Sequence, residues 1–236
     1  MTFRILHEDN HIIVVEKPIN VLSQGDSTGN EDMYTAVKNY IAEKYNKPGN
    51  VYLGLIHRLD RPTGGVMVFA KTSKAAERLS NDIRNQDVKK IYYAVVRGIP
   101  RQKKEHITHY LLKNELTNSV SAVPMATDGA KKACLQYEII ETVKNCTLVR
   151  VILFTGRAHQ IRVQMKEIGC PLWGDQKYGG ELNKPGQQLA LWACQLSFTH
   201  PVTKEQMTFY APPPDTLPWK AFTTPLDDAY LTRMEL

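Results

Sequence analysis

A chain of 236 residues, 42% of them hydrophobic, is long enough to bury a sizeable core in one domain or two small ones. Thirty Lys and Arg against 24 Asp and Glu give a formal charge of +6, which permits a polyanionic partner without requiring one. No apolar run is long enough to span a bilayer, no charged-then-apolar leader pattern is evident, and no low-complexity linker divides the chain, so a single-domain, soluble cytoplasmic monomer is the default expectation.

In chain order, His11 to Val15 reads as a short apolar strand ending at Lys17-Pro18. From Asp32 to Tyr45, Met33, Ala36, Val37, Tyr40 and Ile41 recur at helical spacing, closed by Pro48-Gly49. An apolar run, 51–56, and a strand, Val66 to Ala70, bracket a glycine-rich turn, and Ser73 is placed to cap a helix with Ala76, Leu79 and Ile83 on one face. A strand at 90–97 follows, stopped by Gly98 and Pro100. The polar stretch 100–130 is expected to be an extended hairpin or loop insertion. Lys89, Lys90, Arg97, Arg101, Lys103, Lys104, Lys131 and Lys132 flank or occupy it, so it either grips a phosphate backbone or is simply solvated. Tandem strands at 133–143 and 147–154 suit an antiparallel hairpin, a helix is expected at 159–168, and late strands lie near 189–198 and 205–210. The class is α+β around a mixed, mainly antiparallel sheet. No internal repeat is evident.

Three segments concentrate chemistry. His57-Arg58-Leu59-Asp60-Arg61-Pro62-Thr63-Gly64-Gly65 sets a carboxylate and a guanidinium two residues apart in a turn between buried elements, where reactive groups are often presented. Taken alone, it also reads as a turn capped by Asp60 and paired with Arg58. In the strand Lys89 to Gly98, alternation puts Tyr92 and Ala94 on one face and Tyr93 and Val95 on the other, so one tyrosine is core and the other can reach a site. In Thr155 to Met165, a helix start carrying Arg157, His159, Gln160 and Arg162 gathers donors where backbone amides favour anions, although a solvated amphipathic helix also explains the charges.

Cys134, Cys146, Cys170 and Cys194 are far apart with no Cys-x-x-Cys pair, which argues for free thiols in a reducing compartment and against zinc. His106-x-x-His109 offers two metal ligands without partners at a familiar offset, so no metal is expected.

Taken together and in order, the three segments resemble the signature of the RluA family of RNA pseudouridine synthases. The family pattern His-Arg-Leu-Asp-x-x-Thr-Ser-Gly is similar to residues 57–65, Lys-x-Tyr-x-Ala to Lys90 to Ala94, and Gly-Arg-Thr-His-Gln-Ile-Arg-Val-His to residues 156–164. Supporting resemblances run from Glu8-Asp9 through Lys17-Pro18, over Gly174-Asp175-x-Lys177-Tyr178-Gly179, and from Leu189 through Thr199-His200-Pro201. They cover about residues 5–212, with 100–131 as the insertion and 213–236 as a tail. The resemblance implies a catalytic fold whose active cleft crosses the sheet, acting on ribosomal RNA, transfer RNA or both.

That activity breaks the bond from ribose to the uracil ring nitrogen, turns the base, and rejoins it through carbon 5. The reaction is redox-neutral and implies no cofactor. By resemblance, Asp60 is the catalytic carboxylate, as nucleophile or in a glycal route, and Arg162 is the basic residue that pairs with it and keeps it ionised. Tyr92 stacks on the base and shuttles a proton, while Arg58 fills the gap left by the extruded nucleotide. Leu191 is a candidate apolar wall for the uracil, and Arg157, His159, Lys103 and Lys104 are candidate RNA contacts.

The chain departs from the pattern at Gly64 (usually Ser), Ala158 (Thr), Gln164 (His) and Trp192 (commonly His), which loosens inference about substrate but removes none of the three catalytic residues. Because the catalytic resemblance begins at about residue 5, an amino-terminal RNA-binding domain is not expected. Two other readings compete. A non-catalytic RNA-binding or RNA-folding protein on the same scaffold would not need the aspartate, tyrosine and arginine together. A glycosidase would need a second carboxylate, and the three segments hold none.

Overall fold

A computed structural model describes residues 1–26, 29–46 and 49–226. Its elements, in chain order, are β1 (Arg4–Glu8), β2 (Ile12–Lys17), α1 (Met33–Lys44), β3 (Gly54–Leu55), β4 (Gly64–Ala70), α2 (Ser73–Asn85), β5 (Lys89–Arg97), β6 (Lys104–Asn114), β7 (Ser119–Val123), β8 (Lys131–Val143), β9 (Cys146–Leu153), α3 (Gln160–Glu167), β10 (Leu191–Thr199) and β11 (Gln206–Tyr210). The fold is α+β with mainly antiparallel pairing, as expected. Two compact units divide it: Met1–Val88 with Gln195–Ala211, and Lys89–Cys194 with Pro212 onward.

In the first unit β2 pairs antiparallel with β4 from Ile12↔Ala70 to Lys17↔Gly65, and β1 and β3 pair with β2 and β4 respectively. Every residue of β4 is buried, which is why it reads as an uninterrupted apolar run. Ile12, Val14, Val66, Val68, Leu79, Leu196 and Phe198 form one core cluster. Helix α1 stands where its periodicity put it, with Asp32 accepting from the Thr35 amide at 2.9 Å; the expected stop at Pro48 lies outside the described residues. Helix α2 is capped by Thr72 and not by Ser73, because the Thr72 hydroxyl accepts from the Ala75 amide at 3.2 Å and Ser73 already lies in the first turn. Only Gly54 and Leu55 of the apolar run 51–56 join a ladder.

In the second unit the strand order is β5-β9-β8-β6-β7, all antiparallel. The polar stretch after Pro100 is the β6–β7 hairpin, paired along β8 as well, so the hairpin alternative holds over the loop. Helix α3 packs against this hairpin, burying Val163 with Leu111, Val120 and Ala133. His106 and His109 lie three residues apart on β6 and therefore face opposite sides. His106 stacks on Phe154 and His109 meets the Gln164 amide at 3.2 Å, so the two cannot converge on one metal ion. The tail is tied to β8 where the Thr223 and Thr224 amides and hydroxyls donate to the Glu141 carboxylate.

Candidate active site

Asp60 sits in the turn between β3 and β4, half-buried, in a backbone fixed from several directions. Its carbonyl accepts from the Thr63 amide at 2.9 Å, closing the turn. The preceding residue, Leu59, is clamped by Ser23, whose hydroxyl donates to the Leu59 carbonyl at 2.7 Å and accepts from its amide at 2.9 Å. Gly65, where the turn enters β4, has φ 120°, a conformation that a side chain would strain. His57 Nε2 accepts from the Val68 amide at 3.2 Å, so in the neutral ring the proton sits on Nδ1.

Lys17, the last residue of β2, is bonded to this turn, although the sequence shows it only within a supporting motif. At the end of an apolar strand a lysine ordinarily reads as a solvated tip, yet this one is fully buried. Its Nζ donates to the carbonyls of Pro18 and Val21 and, at 3.1 Å, to that of Arg61 beside the catalytic candidate. Burial lowers its pKa to about 7, and the negative charge of Asp60 opposes that fall. Three acceptors call for three N–H groups, so the ammonium is the form this geometry holds. We expect Lys17→Met to destabilise the fold by about 2–4 kcal/mol, the cost of stranding buried carbonyls less the relief of not burying a charge. Denaturant titration checks this, and an unchanged midpoint would show that the three bonds carry no net stability.

Arg58 is exposed, and its guanidinium has no hydrogen-bond or ion-pair partner among the described residues. The turn-capping alternative, in which Arg58 pairs with Asp60, is therefore not what the turn contains.

The second unit holds the remaining candidates. Tyr92, on β5, is 8% exposed and Tyr93 wholly buried, so both tyrosines are buried and Tyr92 is the less deeply set of the two. Leu191, at the start of β10, is buried directly after Ala190, whose carbonyl accepts from the Val95 amide at 3.1 Å. Arg162 lies in α3, gripped by Asp175: Nε and Nη2 donate to the two carboxylate oxygens at 2.8 and 2.9 Å. Asp175 also accepts from the Lys177 and Tyr178 amides, and the Tyr178 ring lies 5.0 Å from the guanidinium. Gly174, just before it, has φ 74°, and a Cβ there would fall on the Gln188 carbonyl. No local pattern in the sequence points to the role of Asp175, since its partner lies 13 positions earlier, inside α3.

His159 joins the same group, its Nδ1 2.6 Å from the Tyr178 hydroxyl, which in turn accepts from the Val120 amide of β7. His159 precedes α3 in a left-handed conformation, so the helix starts one residue later than expected. Gln160 is not a surface donor there; it is buried, accepting from the Thr155 hydroxyl and the Arg157 amide. Arg157 is exposed and donates to the Lys132 carbonyl at 2.9 Å. Within this unit, then, Arg162 and His159 are brought together around Asp175 and Tyr178. Lys103 and Lys104 stand exposed at the start of β6.

The chain is similar to known proteins in sequence and in fold. The family described as RNA pseudouridylate synthase matches residues 11–167, more than half of the chain. Ribosomal large subunit pseudouridine synthase D of Haemophilus influenzae is 35% identical, over 89% of this chain and 67% of its own length. Ribosomal large subunit pseudouridine synthase C of Escherichia coli O157:H7 is 34% identical over 90% of the chain and 67% of its length. An uncharacterized RNA pseudouridine synthase of Bacillus subtilis is 33% identical over 92% and 71%. In fold, the chain is similar to human RNA pseudouridylate synthase domain containing 4, with a TM-score of 0.75 and 23% identity over 89% of this chain and 88% of that one. Human RNA pseudouridylate synthase domain containing 1 gives 0.73 and 21% over 99% and 94%.

Proposed function

The chain belongs to the RNA pseudouridylate synthase family, whose members isomerise uridine to pseudouridine in RNA, and we propose that it does so through Asp60, on ribosomal RNA of the large subunit. What carries the assignment of Asp60 is its turn: the buried Lys17 ammonium, the Ser23 clamp and the Thr63 amide hold that backbone in place, as a pre-organised carboxylate requires. The large-subunit target is supported by the names of the Haemophilus influenzae and Escherichia coli relatives.

The remaining roles follow the family resemblance. Tyr92 stacks on the target uracil and handles a proton, Leu191 walls the base, and Arg162 is a fixed cation of the catalytic machinery. Arg157, His159, Lys103 and Lys104 contact the RNA backbone. Isomerisation exchanges a carbon–nitrogen for a carbon–carbon bond with no net oxidation, so the chemistry calls for no redox cofactor. None of the described helices is long and apolar enough to cross a membrane. A ribosomal substrate would be met in the cytoplasm.

Purified protein incubated with large-subunit ribosomal RNA made without modifications, followed by mapping of pseudouridine, tests the reading. New pseudouridine at defined positions is the expected result. Modification confined to transfer RNA would overturn the choice of substrate, and tight RNA binding with no isomerisation on either RNA would favour a non-catalytic RNA-folding role.

The partnerless Arg58 makes a further expectation. Arg58→Ala should slow single-turnover modification of structured RNA far more than that of a short flexible strand with the same uridine, because unstacking a paired base costs a few kcal/mol and an already unstacked one needs little help. Equal losses on the two substrates would show that Arg58 steers the carboxylate instead.

A further inference from the structure

Strand β5 carries a charged side chain that the sequence groups only with the basic residues flanking the hairpin and that the proposed site roles leave unused. Lys90 lies two residues before Tyr92 and on the same face of the strand. It is half-buried, and its register partner on β9 is the buried, apolar Leu153. Its Nζ reaches the turn that leads into α3, where a Cβ built on Gly156 would stand 3.6 Å away, so any longer side chain at 156 would grow over the ammonium. Among the described residues no carboxylate or hydrogen-bond acceptor pairs with Lys90. Burial also pushes its pKa below the usual lysine range.

A cation stripped of part of its water and given no partner is costly, and such groups persist where a ligand completes them. The other half-buried or buried cations of this unit are answered from within it: Arg162 by Asp175, Arg97 by Asn183 and Gln187, and Arg150 by Glu138. Lys90 is the exception, and it stands on the strand face that bears Tyr92.

We propose that Lys90 binds a phosphodiester of the RNA next to the nucleotide taken by Tyr92, the phosphate supplying the counter-charge that the protein withholds. This rests on the reading of RNA as substrate and Tyr92 as the residue that meets the base. It adds a positioning contact on the backbone, beside the base contact two residues along. Glycine at 156 leaves room for the phosphate over the ammonium.

The test uses Lys90→Gln, which keeps length without charge, and Lys90→Arg, which keeps charge. On large-subunit ribosomal RNA transcribed in vitro, Lys90→Gln should lower the slope of log affinity against log salt by about 0.7 to 0.9, with Lys90→Arg close to wild type. A second measurement works even if Lys90→Gln folds less well. In a short RNA bearing the mapped uridine, phosphates near the target are replaced one at a time by neutral methylphosphonates. One replacement should weaken the wild type and leave Lys90→Gln unaffected relative to its own binding of unmodified RNA. An unchanged salt slope, or equal losses in both proteins at every position, overturns the phosphate contact while leaving the synthase reading intact. A wild-type protein that modifies no RNA would instead overturn the synthase reading itself.

Discussion

Asp60→Asn should abolish isomerisation while leaving RNA binding and the fold nearly unchanged. The change is close to isosteric, and the Thr63 amide, which closes the turn, bonds to the Asp60 backbone and not to its side chain. What disappears is a negative charge that the chemistry needs, whether the carboxylate attacks ribose or removes a proton from it. A loss on the order of 10⁴-fold or more, about 5.4 kcal/mol of barrier, is expected in single-turnover rates at saturating RNA. One side effect should accompany it. Asp60 opposes the fall in the pKa of Lys17, so without that carboxylate Lys17 should give up its proton more readily. Turnover within a few-fold of wild type, with unchanged melting, would remove Asp60 from the mechanism.

Asp175→Ala should be the most damaging single change to stability in the second unit. The carboxylate is wholly buried and the Arg162 side chain nearly so, at 0% and 9% exposure, and the alanine would leave that guanidinium without its bidentate partner. Breaking a buried pair on one side costs about 3–5 kcal/mol, because the remaining charge loses charge-assisted bonds that water does not replace. For a chain of this size that is a fall in melting temperature of roughly 10 °C, at about 2–4 °C per kcal/mol. The carboxylate also accepts from the Lys177 and Tyr178 amides, so the loop bearing Tyr178, and with it the anchor of His159, should loosen. Replacing both members, Arg162→Met with Asp175→Leu, should recover much of the stability and none of the activity. Thermal melts and single-turnover assays on the three variants separate the two roles of Arg162; recovery of activity by the double variant would make that role purely structural.

Much of this architecture was legible in the sequence, and the exceptions have identifiable causes. Strand β4 and helix α1 announce themselves because burial on both faces gives an apolar run and burial on one helical face gives a 3.6-residue period. Strand β1, Arg-Ile-Leu-His-Glu, went unread because it is short, polar at most positions and half-buried, so no alternation survives. In the β6–β7 hairpin, Ile107 and Leu111 are buried with the polar His109 between them on the same face, which blurs a period of two. Asp60 and Tyr92 stand out in the sequence through their motifs, because turn chemistry alone also fits a capped turn and strand alternation alone separates Tyr92 from Tyr93 without saying which meets a substrate. Lys17 and Asp175 were quoted in motifs without roles. Their work is to satisfy carbonyls and a guanidinium brought near by the fold, and a sequence does not show which acceptors a buried cation will meet.

The most direct test of Asp60-dependent pseudouridine formation follows the hydrogen on uracil carbon 5, which must leave when that carbon bonds to ribose. Large-subunit ribosomal RNA transcribed with [5-³H]uridine is incubated with excess wild-type protein or Asp60→Asn, and released tritium is counted over time. The expected result is a single-exponential release by the wild type, equal in amount to the pseudouridine mapped in the same RNA, and none above background from Asp60→Asn. No release by a wild-type protein that binds the RNA, or release by both proteins alike, would contradict it.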